Sequence, residues 1–196
     1  MKFLPLVALL VLCGGSVSTV AQSNDAQKPA SKTAAGEDEI PKSIEESVSA
    51  PLQFAEGSFL GLAEAMPEEK YSFIPTAGKF GDARSFGEQV KHVACGNEAW
   101  AKKILGEKPP ARCDLGGPNP AKSKAEILAY LKESFKAIDK VIAETDDKNL
   151  MQATPGPYWG ANRLSSLTAT VWHISDHYGQ LVVYLRMNGI VPPVSK

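Results

Sequence analysis

Apolar residues recur at steps of three and four in four separate stretches of this chain, the period of one face of an α-helix. The first stretch runs through Val48, Leu52, Ala55, Phe59, Leu62 and Met66. Pro51 lies near its beginning, which puts the helix start near Ser49, because proline suits a first turn; Pro67 ends it. The second opens on Ser85-Phe86-Gly87-Glu88, continues through Val90, Val93, Asn97, Trp100 or Ala101 and Ile104, and stops at Gly106 and Pro109-Pro110. Ser85 and Glu88 have the spacing of a capping box, in which hydroxyl and carboxylate each accept from an otherwise unpaired backbone N–H. The third repeats that signal at Ser123 and Glu126, then carries Ile127, Leu131, Phe135, Ile138 and Ile142 up to Asp146-Asp147. The fourth places Leu167, Val171, Ile174, Tyr178, Leu181 and Leu185 on a narrow seam. Gly189 offers a left-handed cap and Pro192-Pro193 forbids continuation.

No stretch alternates as a strand would, so the pattern predicts an all-α protein. Four helices with one apolar stripe each are best buried as a four-helix bundle, over residues 44–193. The joins at 106–122 and 146–163 are long and rich in proline and glycine, which suits a crossover or a loop lining a site.

The N-terminal residues read differently. Met1-Lys2 is a short basic start, Phe3 to Leu12 is apolar apart from Pro5, and Thr19 and Ala21 fit a small-residue cleavage pattern. Residues 1–21 are therefore expected to be an export signal, and the protein to be periplasmic or secreted. Lipid anchoring at Cys13 is the lesser alternative, since Leu12 is large where a small residue is expected. Residues 22–43 carry no aromatic side chain and are read as a flexible linker, with too little apolar surface to offset the entropy of ordering.

The 196 residues hold 21 basic and 22 acidic side chains, without the basic excess expected of a dedicated nucleic-acid binder. No apolar run reaches the ~18–20 residues of a membrane span. Of the three cysteines, Cys95 and Cys113 lie in the bundle. In an oxidising compartment they either pair or remain free thiols.

All three histidines fall on predicted helices. His173 and His177 form H-x-x-x-H, and four residues of helix bring a side chain back to nearly the same face one turn on. If the second and fourth helices are neighbours, His92 adds a third nitrogen. Three imidazoles with an open position is the layout of a catalytic divalent-metal site, and spacing alone does not choose among zinc, nickel, iron and cobalt. Spacing equally allows a solvated polar face or a hydrogen-bonded pair in the core. The H-E-x-x-H metalloprotease pattern is absent, because Ile174 follows His173.

The run from His173-Ile174-Ser175-Asp176-His177 through Gly189-Ile190-Val191-Pro192-Pro193 resembles the last helix of DinB-like proteins. Ser85 to Ala94 is similar to that family's second helix with its single histidine, and Met66-Pro67 to Pro75 to its first join. The resemblance implies a four-helix bundle in which His92, His173 and His177 hold a divalent metal, and it implies a homodimer. The open fourth position of such a site points to a metal-dependent hydrolase or transferase acting on a small molecule. Relatives include thiol-dependent transferases and isomerases, but low-molecular-weight thiols are scarce where disulfides form. The alternative is a non-catalytic stress protein in which the metal is structural or a small ligand is held. Gln180, Tyr184 and Trp159 are candidate pocket residues. Cys95, three residues after His92, is a candidate ligand or nucleophile if it is not paired with Cys113.

Overall fold

The computed structural model describes residues 40–76, 78, 81–156 and 160–193. The expected leader over 1–21, the linker up to residue 39, and Trp159 lie outside the described residues. Four α-helices are present among them: α1 (Ile44–Ala65), α2 (Phe86–Ile104), α3 (Lys124–Ala143) and α4 (Arg163–Met187). A single 3-10 turn, Glu68–Lys70, follows α1.

α1 begins earlier than Pro51 implies. Ser43 caps it, accepting from the Glu46 backbone N–H at 3.0 Å, and Glu45 and Glu46 place negative charge at the positive end of the helix dipole. Pro51 therefore sits inside the helix, at an exposed position. It removes one backbone hydrogen bond there without disturbing the buried face. The two capping boxes read from the sequence, at Ser85 and Ser123, both form. A third, Asn162 with Ser165, starts α4. Beside it, buried Arg163 donates from Nη1 to the Val141 carbonyl and to Thr145 Oγ1, meeting the negative end of α3.

The principal packing partners are α2 with α3, α2 with α4, α1 with α3 and α1 with α4. The helices thus form a ring in the order α1–α3–α2–α4, and consecutive α1 and α2 face each other across it. Phe59, Leu62, Phe86, Leu131, Phe135 and Ile138 fill the centre with Leu167, Ile174, Leu181 and Leu185 of the α4 seam. No described helix is long and apolar enough to cross a membrane. The ring order sets α2 beside α4, the neighbour relation that three converging histidines need.

Candidate metal centre

The histidines occupy the flanks of two buried stripes. On α4, His177 lies between Ile174 and Leu181 on the buried side, and His173 is half-buried one turn earlier. On α2, His92 is half-buried beside Val93. The ring centroids are 5.0 Å (His92–His173), 4.7 Å (His92–His177) and 4.5 Å (His173–His177) apart. One nitrogen from each ring lies within 4.8 Å of the others, an arrangement able to hold a metal ion.

Each ring meets a different neighbour. His92 Nδ1 is 2.6 Å from the Cys113 carbonyl, so it carries the proton and donates it. That fixes the tautomer and turns the Nε2 lone pair inward, as outer partners of metal-binding histidines do. His92 Nε2 lies 3.1 Å from His173 Nε2. Two lone pairs so close require a proton or a cation between them. His173 Nδ1 is buried without a hydrogen-bond partner among the described residues. His177 Nδ1 is 2.8 Å from the amide of Gln89.

Burial pushes the histidine at 173 down to about 3 and the one at 177 to about 4, with mutual repulsion among the rings adding to it. His92 is lowered as well, chiefly by burial. All three are neutral imidazoles at neutral pH, the form that offers a lone pair to a cation.

Two α2 residues shape the cluster, one at each neighbouring turn. Gly96 makes room. A Cβ built there would stand 2.7 Å from His173 Cε1, closer than real contacts allow. Gly96→Ala should therefore displace the His173 ring and weaken metal binding on the order of 10–100-fold, the range for a lost orienting contact. The metal-free melting temperature should not fall, since alanine favours the helix by up to ~1 kcal/mol. Metal titration and thermal melts of the same samples check both halves.

Gln89 is the other residue and was not singled out from sequence, although it lies three residues before His92. It is 1% exposed, and its amide bridges His177 and Gln180. Gln180 in turn donates to Asp176 at 2.8 Å. In this arrangement Gln89 Nε2 donates to His177 Nδ1. Ligation through His177 Nε2 needs the proton on Nδ1, and therefore the Gln89 amide turned so that its oxygen accepts. Gln89→Leu should lower metal affinity by roughly 10–100-fold, and Gln89→Glu should restore much of it by accepting from Nδ1; competition with a chromophoric chelator reads both.

The loop after α2 folds back over the site. Cys95 and Cys113 form a disulfide, with Cα atoms 5.5 Å apart. Cys95 is thereby neither a ligand nor a nucleophile. Gly117 passes against this bond at φ +70°, where a side chain would be strained and its Cβ would run into Cys95 Sγ. Two consecutive carbonyls of the loop reach the site: that of Cys113 accepts from His92, and that of Asp114 accepts from Arg84 Nε.

Tyr184 and Gln180 line a surface cavity of about 340 Å³ together with Arg84, Gln89 and Asp82. Tyr184 donates its hydroxyl to the Arg84 carbonyl at 2.8 Å. A larger apolar groove, about 780 Å³, runs along the outer face of α4 beside Leu164, Thr168 and Trp172. Gln89, which contacts His177, and Gln180, which contacts Gln89, lie at the smaller cavity.

Bundle and histidine cluster together define a class of helical protein with three histidines placed so that they could hold a metal ion. The profile of the DinB superfamily matches residues 52–181, and the chain belongs to that superfamily. Among solved structures it is similar to a conserved protein from Enterococcus faecalis, with a TM-score of 0.60, 13% identity and coverage of 74% of this chain and 97% of that one. It is also similar to a DinB-like protein from Bacillus cereus, with a TM-score of 0.58, 18% identity and coverage of 77% and 96%. A protein from Exiguobacterium sibiricum assigned to the DinB family gives 0.56, 19%, 74% and 91%. These likenesses concern the fold. No curated protein matches the chain.

Proposed function

We propose that this is an exported metal-binding bundle in which His92, His173 and His177 hold one divalent cation, and that the loaded site works as a hydrolase or transferase on a small molecule. The observation that carries the reading is the set of three neutral imidazoles whose nitrogens converge within 4.8 Å. A divalent cation there would supply Lewis acidity and lower the pKa of a group bound in the open position.

The chain's own residues supply the rest. The Cys113 carbonyl holds His92 in the ligating tautomer. Gln89 orients His177, and Gly96 lets the His173 ring approach α2. A cavity with Gln180, Tyr184 and Arg84 on its wall gives a small molecule room next to Gln89, the residue that contacts His177. The Cys95–Cys113 bond supports an oxidising compartment, in keeping with a leader at residues 1–21.

Elemental analysis of the purified full-length protein tests the proposal. About one divalent ion per chain, removed by chelator and restored on adding metal, is the expected result, since each histidine contributes one ligand. A protein that retains no cation at micromolar supply would overturn it.

A further inference from the structure

We infer that this site selects substrates carrying a carboxylate, and that Arg84 is the specificity-determining residue. The inference rests on the cation reading above and adds the class of molecule the site accepts.

Arg84 lies in the segment leading into α2, on the wall of the cavity shared with Gln89 and Gln180. Its position is fixed from two sides. The Tyr184 hydroxyl holds its backbone carbonyl, and its own Nε donates to the Asp114 carbonyl on the disulfide-tied loop. The neighbouring carbonyl of that loop, from Cys113, holds His92. One short piece of chain thus sets both a candidate ligand and a cationic side chain. The link to the cluster is Gln89, which shares the cavity wall with Arg84 and whose amide lies 2.8 Å from His177 Nδ1.

That guanidinium has no carboxylate partner among the described residues, and no hydrogen bond occupies its two Nη nitrogens there. The nearby acidic groups are mostly engaged elsewhere. Asp114 pairs with Arg112 at 3.5 Å. Asp176 accepts from Gln180 at 2.8 Å. Glu88 closes the α2 capping box, accepting from Ser85 N at 2.8 Å. Asp82, exposed on the cavity rim, is the remaining carboxylate of the wall. Three neutral imidazoles bring no negative charge, so a divalent cation leaves the site with net positive charge. An anion is the complementary ligand, and a guanidinium presenting both Nη groups grips a carboxylate at two points. A volume of about 340 Å³ is at the small end for ligand sites, which limits the molecule to a few carbons beyond its reacting group.

The test compares two probes of equal length on zinc-loaded full-length protein. Succinic monohydroxamate carries a carboxylate, and butyrohydroxamate ends in a methyl group. Both present the same metal-binding hydroxamate, and calorimetry reads the dissociation constants. The expected result is at least about a tenfold preference for the carboxylate probe, roughly the effect of one charge-assisted pair. Arg84→Gln should shrink it below about threefold, read as the ratio of the two constants on the same sample so that any loss common to both probes cancels, and Arg84→Lys should keep part of it through its charge. No preference in the native protein, or full preference in Arg84→Gln, overturns the inference. Metal analysis beforehand separates the two claims. A chain without zinc sinks the cation reading and this inference together, whereas bound zinc without preference sinks this inference alone.

Discussion

Replacing His173 with alanine is expected to abolish stoichiometric metal binding while leaving the bundle folded. The variant retains His92 and His177, two ligands where the cluster has three, and loses the ring that faces His92 Nε2 at 3.1 Å. Removing a ligand itself should exceed the roughly 10–100-fold effect of removing an orienting partner. The fold should survive because His173 is half-buried at the flank of the α4 seam, while Ile174, Leu181 and Leu185 carry the packing. The metal-free protein should even tolerate the change well, since the Nδ1 of His173 is a buried nitrogen without a partner among the described residues and its removal relieves that cost. The measurable contrast is in thermal melts. Native protein at a metal concentration ~1,000 times Kd gains ~4 kcal/mol over its chelated form; the variant gains nothing. A variant still binding one ion per chain at native affinity would show that His173 is not a ligand.

The second large effect is expected from removing the disulfide. The double replacement of Cys95 and Cys113 by serine opens a crosslink between residues 18 apart. The chain-entropy model assigns such a link ~3 kcal/mol, and for a domain of this size that lowers the melting temperature by on the order of 10 °C. A stability loss alone would mark an ordinary staple. The structure predicts more, because the same loop presents the Cys113 and Asp114 carbonyls to His92 and Arg84. Metal affinity should therefore fall as well, measured at a temperature where the double variant is fully folded. Unchanged affinity with reduced stability would show that the loop does not orient His92.

Much of the fold is legible in the sequence because local rules agree with one another. The apolar stripes and the boxes at Ser85–Glu88 and Ser123–Glu126 mark α2 and α3 at close to their observed starts. His173 and His177 share a face because helix geometry leaves no other outcome. The start of α1 misleads, since Pro51 is a strong local signal and the Ser43 cap with its acidic first turn is several weaker ones. What the periodicity does not contain is the order of helices around the ring. The approach of His92 to the other two depends on α2 lying beside α4. Gln89 carries a legible hint, one turn before His92, but its value appears only when α4 brings His177 to its amide. Arg84 carries none, because its importance comes from the loop at Cys113–Asp114 folding back over α2. The fate of Cys95 and Cys113 turns on the same fold-back, with Gly117 clearing space for the bond.

The central claim is that imidazoles from two helices share one cation, and X-ray absorption at the metal edge of the loaded full-length protein tests it most directly. Three imidazole nitrogens at ~2.0–2.1 Å, with one further light atom, is the predicted first shell for zinc. A shell with sulfur, or with fewer than three imidazoles, would contradict the account.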